Sequence, residues 1–86
     1  EVRRMLETEA ARLAALRGTP ADFILIKRRY EEMTAADAQD LDPAARAKLD
    51  HAFHLAICEA SHNPVLVNTL QSLTDLLLSS VFASVN

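Results

Sequence analysis

The 86-residue sequence predicts an all-α fold, an antiparallel bundle of four helices. Half of the residues are hydrophobic, and a single residue is glycine. Apolar residues recur every three or four positions, which is typical of amphipathic helices. No segment alternates apolar and polar residues in the way that a half-buried strand does. With 24% charged residues, the chain is neither a disordered tail nor a loop-rich scaffold, and its length allows one small domain at most.

Three prolines mark where helices begin, because each follows a polar residue that can cap a helix. These pairs are Thr19-Pro20, Asp42-Pro43 and Asn63-Pro64. Proline is tolerated at the first helical position, and the preceding side-chain oxygen can accept a hydrogen bond from the free amides of the first turn. We expect Gly18 to take the left-handed position that closes the first helix. The predicted helices cover residues 2–17, 20–37, 43–61 and 64–84.

Each predicted helix carries an apolar stripe that should face the core. The stripes are Val2, Leu6, Ala10, Leu13 and Leu16; Phe23, Ile26, Tyr30 and Met33; Leu49, Phe53, Ala56, Ile57 and Ala60; and Leu66, Leu70, Leu73, Leu77 and Val81. The fourth helix is also apolar outside its stripe, for example at Val65 and Leu76, so we expect it to be central. Three other helices cannot cover it, which predicts further helices or association into a dimer or higher oligomer.

Charge and cysteine content exclude several classes of protein. The net charge is -3, and all nine Lys and Arg lie at or before Lys48. The later half therefore has no basic tract for phosphates, and we do not expect this chain alone to bind DNA specifically. Apolar runs such as 76–78 are too short to span a bilayer. A single cysteine excludes an internal disulfide and favours the cytoplasm. Because the sequence begins with Glu1 and not Met, we expect it to be part of a longer chain.

Asp50 and His54 are the main candidates for metal binding. They lie four residues apart, so both project from one face of the third helix, and a carboxylate with an imidazole can ligate a divalent metal. A hydrogen bond on the helix surface is the alternative. Cys58 and His62 follow at the same spacing, but Asp50 and His62 diverge by roughly 120° around the helix, so the four cannot share one ion. Cys58 is most simply a small buried residue, and His51 is expected to be solvated.

Arg3 and Arg4 stand in the first turn of the first helix, where the helix dipole disfavours a cation. These positions admit an anion-binding role, with solvated surface charges as the alternative. The sequence contains no Gly-rich loop, paired Cys motif or ordered Ser, His and Asp set. An enzyme in which His54 acts as a general base oriented by Asp50 ranks last, because no nucleophile or oxyanion-stabilising group accompanies the pair. We therefore expect no catalytic activity.

Three stretches resemble a known family. Residues 50–57 (DHAFHLAI) and 60–66 (ASHNPVL) are similar to the FCD domain, the effector-binding domain of the FadR-type branch of GntR transcription regulators. Residues 3–7 (RRMLE), with 10–15, resemble the opening helix of that domain. The tail, residues 70–76 and 80–86, is similar to glycolate-responsive members of the family.

The resemblance implies a domain of six or seven helices, of which residues 1–86 supply the first four. It implies a divalent metal, zinc or nickel, held by Asp50, His54 and two histidines beyond Asn86. It also implies that Arg3 and Asn63 serve the effector, a small hydroxycarboxylate for which glycolate is favoured. DNA would be bound only through a winged-helix domain that these 86 residues lack. The alternative is a stand-alone helical module for protein–protein interaction without a ligand site.

Overall fold

Four α-helices account for almost the whole chain. The structure is a computed structural model that describes the backbone of residues 2–85 and the side chains of residues 2–76. Within residues 2–85 there is no strand, so the predicted all-α class is confirmed. Every predicted helix end agrees with the structure to within one residue. The helices are α1 (Val2–Arg17), α2 (Pro20–Ala36), α3 (Pro43–Ala60) and α4 (Pro64–Val85).

All three predicted caps form. Thr19 and Asp22 make a reciprocal capping box at α2: the Asp22 amide donates to Thr19 Oγ1 at 3.2 Å, and the Thr19 amide donates to Asp22 Oδ2 at 2.8 Å. Asp42 Oδ1 accepts from an amide in the first turn of α3 at 2.7 Å. Asn63 Oδ1 accepts from the Leu66 amide at 3.2 Å in α4. Each contact satisfies a helix-terminal amide that has no partner inside the helix.

The expectation for Gly18 was wrong. Gly18 does not have a positive φ. A glycine is needed there because a Cβ would lie 2.6 Å from the Ala14 carbonyl oxygen and 2.7 Å from Phe23 Cζ. The left-handed position in the described chain is instead filled by His62, with φ 53°, directly after the C-cap residue Ser61 of α3. Histidine is one of the non-glycine residues that enters this region more readily.

The central helix is α3, which packs against each of the other three, whereas α4 packs against α1 and α3. The prediction that α4 is central was therefore wrong. The buried core lies between α1, α3 and α4, and α2 packs on the opposite side of α3, where the Tyr30 and Phe53 rings lie 5.6 Å apart. The core residues are Ala10, Leu13, Cys58, Leu66 and Leu70.

Several residues of the predicted stripes lie at the surface. The side chains of Val2, Leu16, Phe23 and Tyr30 are all exposed, because four helices in a body only 17 Å thick offer too few neighbours to cover every stripe. On α4, Val65 is 74% and Leu76 is 64% exposed. The predicted stripe residues Leu77 and Val81 lie outside the described side chains. None of the described helices is both long enough and apolar enough to cross a membrane.

Candidate functional site

A small cavity lies where α1, α3 and α4 meet. Its volume is about 20 Å³, which is close to the space that one water molecule needs. Four apolar side chains, Leu55, Cys58, Val67 and Leu70, form part of its wall. Its polar lining comes from all three helices: Arg3 and Glu7 of α1, His51 and His54 of α3, and Gln71 and Thr74 of α4.

Arg3 reaches the cavity from the first turn of α1, where its guanidinium is paired with a carboxylate. Its Nε donates a hydrogen bond of 2.9 Å to Glu7 Oε1 one turn later. The two side chains are 38% and 30% exposed, so the pair is only partly shielded from water. The structure thus places the predicted anion-binding residue at a cavity and gives it a carboxylate partner from its own helix.

Asp50 and His54 lie together on α3 as the spacing predicts. His54 Nε2 and Asp50 Oδ1 are 3.5 Å apart. Two ligands of a tetrahedral zinc ion, with bonds of roughly 2.1 Å, stand about 3.4 Å apart, so this separation fits a shared metal and also fits a simple ion pair. His54 borders the cavity, and the exposed Asp50 does not. Among the described residues, no three His, Cys, Asp or Glu side chains come together to hold a metal. The pair therefore offers two ligands of a site.

Four polar residues of the cavity were not singled out by the sequence, and the expectation that His51 is solvated was wrong. His51 is half-buried and lines the cavity beside His54. Its spacing of three residues from His54 was the signal, since such residues share a helix face. The same reasoning applies to Glu7, four residues after Arg3, and to the pair Gln71 and Thr74. Spacing alone could not show that these faces meet.

Cys58 is buried in the wall of the cavity, as its interpretation as a small core residue predicts. Its burial raises the pKa of the thiol, and the negative charges of Glu7 and Glu59 raise that pKa further. A raised pKa keeps the sulfur in the protonated, weakly nucleophilic form. This environment gives no support to a reactive-thiol role.

Asn63 and His62 lie around a different part of the surface, in the turn between α3 and α4. They border an open groove together with Asp22 and Glu59 and are not part of the cavity lining. Asn63 is engaged as the cap of α4, and His62 Nε2 contacts Asp22 Oδ2 at 2.7 Å. The structure therefore brings Arg3 and His54 together at one cavity and leaves Asn63 outside it. His62 is likewise separate from the Asp50 and His54 pair.

Comparison with known proteins gives a match to one family along the whole chain: the FCD domain matches residues 1–86. The chain belongs to the FCD domain family. It is 62% identical over 88 residues to the Glc operon transcriptional activator of Escherichia coli K12, and equally to that of E. coli O6:H1; the match covers all of this chain and 35% of each relative. It is 38% identical over 81 residues to the HTH-type transcriptional regulator LutR of Bacillus subtilis, covering 94% of this chain and 36% of that protein.

The chain spans about a third of the length of these curated relatives. No solved structure matches it. All three relatives carry names of transcription regulators, which agrees with the expectation that this domain is not catalytic. The resemblance found in the sequence to the FCD domain is thereby confirmed.

Proposed function

We propose that this FCD domain is the effector-sensing part of a bacterial transcription regulator that responds to a small hydroxycarboxylate, with glycolate as the favoured effector. The 62% identity to relatives named as Glc operon transcriptional activators supports this role. The expectation of glycolate comes from the similarity of the tail residues to glycolate-responsive members of the family. Sensing would take place at the cavity between α1, α3 and α4.

The observation that carries the proposal is the convergence of complementary groups on one cavity. A guanidinium such as that of Arg3 suits a carboxylate, because it can form charge-assisted hydrogen bonds. His51 and His54 on α3 face the same space, and Gln71 and Thr74 of α4 add an amide and a hydroxyl that can bond the effector's own hydroxyl. Convergent polar groups beside apolar side chains are typical of small-molecule sites.

The proposal includes a divalent metal, zinc or nickel, with Asp50 and His54 as its first two ligands. Their 3.5 Å separation is compatible with one shared ion. Two further ligands, both histidines, would come from outside residues 1–86. When bound, the metal would supply a Lewis acid that coordinates the effector's carboxylate. We assign Asn63 to the effector site as a positioning residue, because as cap of α4 it holds the start of the helix that carries Gln71 and Thr74.

The family resemblance is also the basis for a proposal about the parts of the regulator outside residues 1–86. We propose two or three further helices after α4 and a preceding winged-helix domain that contacts DNA, both outside residues 1–86, in a cytoplasmic homodimer or higher oligomer. The exposed Val65 and Leu76 of α4, with Met5 of α1, support additional covering surfaces. Sedimentation of the full-length protein at micromolar concentration should give a dimer or a higher oligomer. A monomer would contradict this part.

Metal content and glycolate calorimetry on the full-length protein test the proposal. We expect the wild type to retain about one divalent metal per chain and to bind glycolate. His54→Ala and Asp50→Asn should lose the metal and weaken glycolate binding by at least about tenfold, since the first removes a direct ligand and the second replaces a charged ligand with a neutral amide. Asp40→Asn is the matched control for Asp50→Asn, because it removes an exposed carboxylate that does not border the cavity.

Three results would count against this function. A His54→Ala protein that keeps its metal and its glycolate response would remove the role given to the Asp50 and His54 pair. Loss of metal with unchanged glycolate affinity would separate the metal from sensing. A wild type that binds neither metal nor any small carboxylate would favour the alternative, an interaction module that docks through its exposed apolar side chains.

A further inference from the structure

We propose that Glu7 is an affinity-setting residue that competes with the effector's carboxylate for Arg3. This inference rests on the proposed function, because it takes Arg3 as the group that binds the carboxylate. It goes further by assigning a role to a residue that neither the sequence pattern nor the family resemblance singled out.

Glu7 occupies Arg3 in the way that a ligand would. Arg3 Nε donates to Glu7 Oε1 at 2.9 Å, the distance of a charge-assisted hydrogen bond, and both side chains line the cavity. A carboxylate brought by an effector that binds the Nε edge of the guanidinium needs the same donor. The internal carboxylate and the external one therefore exclude each other at Arg3 Nε.

The volume of the cavity also indicates that Glu7 and the effector compete. The cavity holds about 20 Å³ with Glu7 in its present position, enough for roughly one water molecule and too little for a hydroxycarboxylate with five non-hydrogen atoms. Glu7 also borders an open groove formed with Arg4, Thr8 and Ile57, and this groove shares His54 and Cys58 with the cavity. A rotation of Glu7 toward this groove would free Arg3 and enlarge the cavity in a single movement.

The Arg3 and Glu7 pair is weak enough to be displaced. A cation in the first turn opposes the helix dipole, and an acidic residue four positions after the basic one is the less favourable order on a helix. The side chains are also 38% and 30% exposed, so water screens their attraction. The pair lowers the fraction of protein with a free Arg3, and the apparent affinity for the effector falls by that fraction.

Glycolate calorimetry of the full-length, metal-loaded protein tests the inference. Glu7→Gln keeps the size of the side chain and removes its charge, and we expect it to tighten the dissociation constant by about threefold. Glu9→Gln is the matched control: Glu9 lies on α1 and pairs with Arg12, and neither of the two borders the cavity. It should leave the constant within about twofold. Arg3→Gln should weaken binding, and adding Glu7→Gln to Arg3→Gln should give a smaller gain than in the wild type.

The outcomes separate this inference from the proposed function. Unchanged or weaker glycolate binding by Glu7→Gln overturns the inference while leaving glycolate sensing intact. An equal gain in the presence and absence of Arg3 also overturns it, because Glu7 would then act by repulsion alone. If the wild type shows no glycolate binding, the proposed function fails. In that case the inference still requires Glu7→Gln to bind glycolate measurably. If neither the wild type nor Glu7→Gln binds glycolate, the inference is overturned too.

Discussion

His62 Nε2 lies 2.7 Å from Asp22 Oδ2 and joins the turn between α3 and α4 to the first turn of α2. The same Asp22 oxygen accepts the Thr19 amide of the capping box. Close by, Arg17 at the end of α1 donates to the carbonyl oxygen of buried Ser61 at 3.4 Å. Two side chains thus fasten the turn between α1 and α2 to the turn between α3 and α4. This junction holds the ends of helices that line the cavity.

Stability should fall in acid partly because Asp22 becomes protonated. The Thr19 amide and, after it, His62 hold the pKa of Asp22 below the usual value for an aspartate. A carboxyl whose pKa is lowered by folding stabilises the fold above its unfolded pKa of about 3.9, and this contribution is lost as pH falls through the lowered value. Urea unfolding between pH 6 and pH 2 should show a smaller loss of stability for Asp22→Asn than for the wild type.

A second acidic residue provides the comparison for that experiment. Asp40→Asn removes an exposed carboxylate from the turn between α2 and α3. We expect its pH profile to follow the wild type more closely than that of Asp22→Asn. Identical profiles for the wild type and Asp22→Asn would mean that the junction contributes no pH dependence.

The left-handed backbone of His62 predicts a difference between two truncations. Both His62→Gly and His62→Ala remove the contact with Asp22. At φ 53°, however, alanine carries a steric cost that glycine avoids. His62→Gly should therefore be more stable than His62→Ala by about 1 kcal/mol in urea unfolding. Equal stabilities would show that the backbone relaxes there at no cost.

Gly18→Ala should destabilise the chain, although alanine normally favours helix over glycine. The added Cβ would lie 2.6 Å from the Ala14 carbonyl oxygen and 2.7 Å from Phe23 Cζ. Crowding of this kind costs about 1–3 kcal/mol. Because the Ala14 oxygen belongs to the backbone, Gly18→Ala should remain destabilising in a Phe23→Ala background, with a reduced cost. A Gly18→Ala chain as stable as the wild type in thermal unfolding would be the contrary result.

The sequence could predict what depends on neighbours along the chain. The caps Thr19, Asp42 and Asn63 each form with the amide three residues later, so local spacing was sufficient. The proximity of the Asp50 and His54 side chains could be predicted for the same reason. Gly18 was misread because its main constraint includes the approach of Phe23, a contact made by folding of the next helix.

The set of residues that line the cavity could not be predicted from their spacing along the chain. His51 and His54 share a face of α3, but only packing shows that Arg3 of α1 and Gln71 of α4 face the same space. The central place of α3 was missed for a related reason. The apolar residues of α4 exceed what its neighbours in this chain can cover, so its composition indicated burial that four helices do not provide.

Asn63 offers a way to separate helix capping from contact with the effector. Its Oδ1 accepts the Leu66 amide at 3.2 Å, and Asn63→Ala should lower the free energy of unfolding by about 1 kcal/mol through loss of that bond. Asn63→Asp keeps an acceptor and places a negative charge at a helix N-terminus, where it is favourable. It should therefore retain the stability of the wild type in urea unfolding.

Glycolate affinity of the same two variants completes the test in the full-length protein. If Asn63 only positions α4, Asn63→Asp should bind glycolate within about twofold of the wild type, because the carboxylate would not meet the ligand. If the amide donates directly to the effector's carboxylate, Asn63→Asp would instead set two negative charges against each other, and a charge-assisted bond would also be lost. If calorimetry shows that Asn63→Asp loses tenfold or more of its glycolate affinity while its stability is unchanged, Asn63 contacts the effector directly and is not only a helix cap.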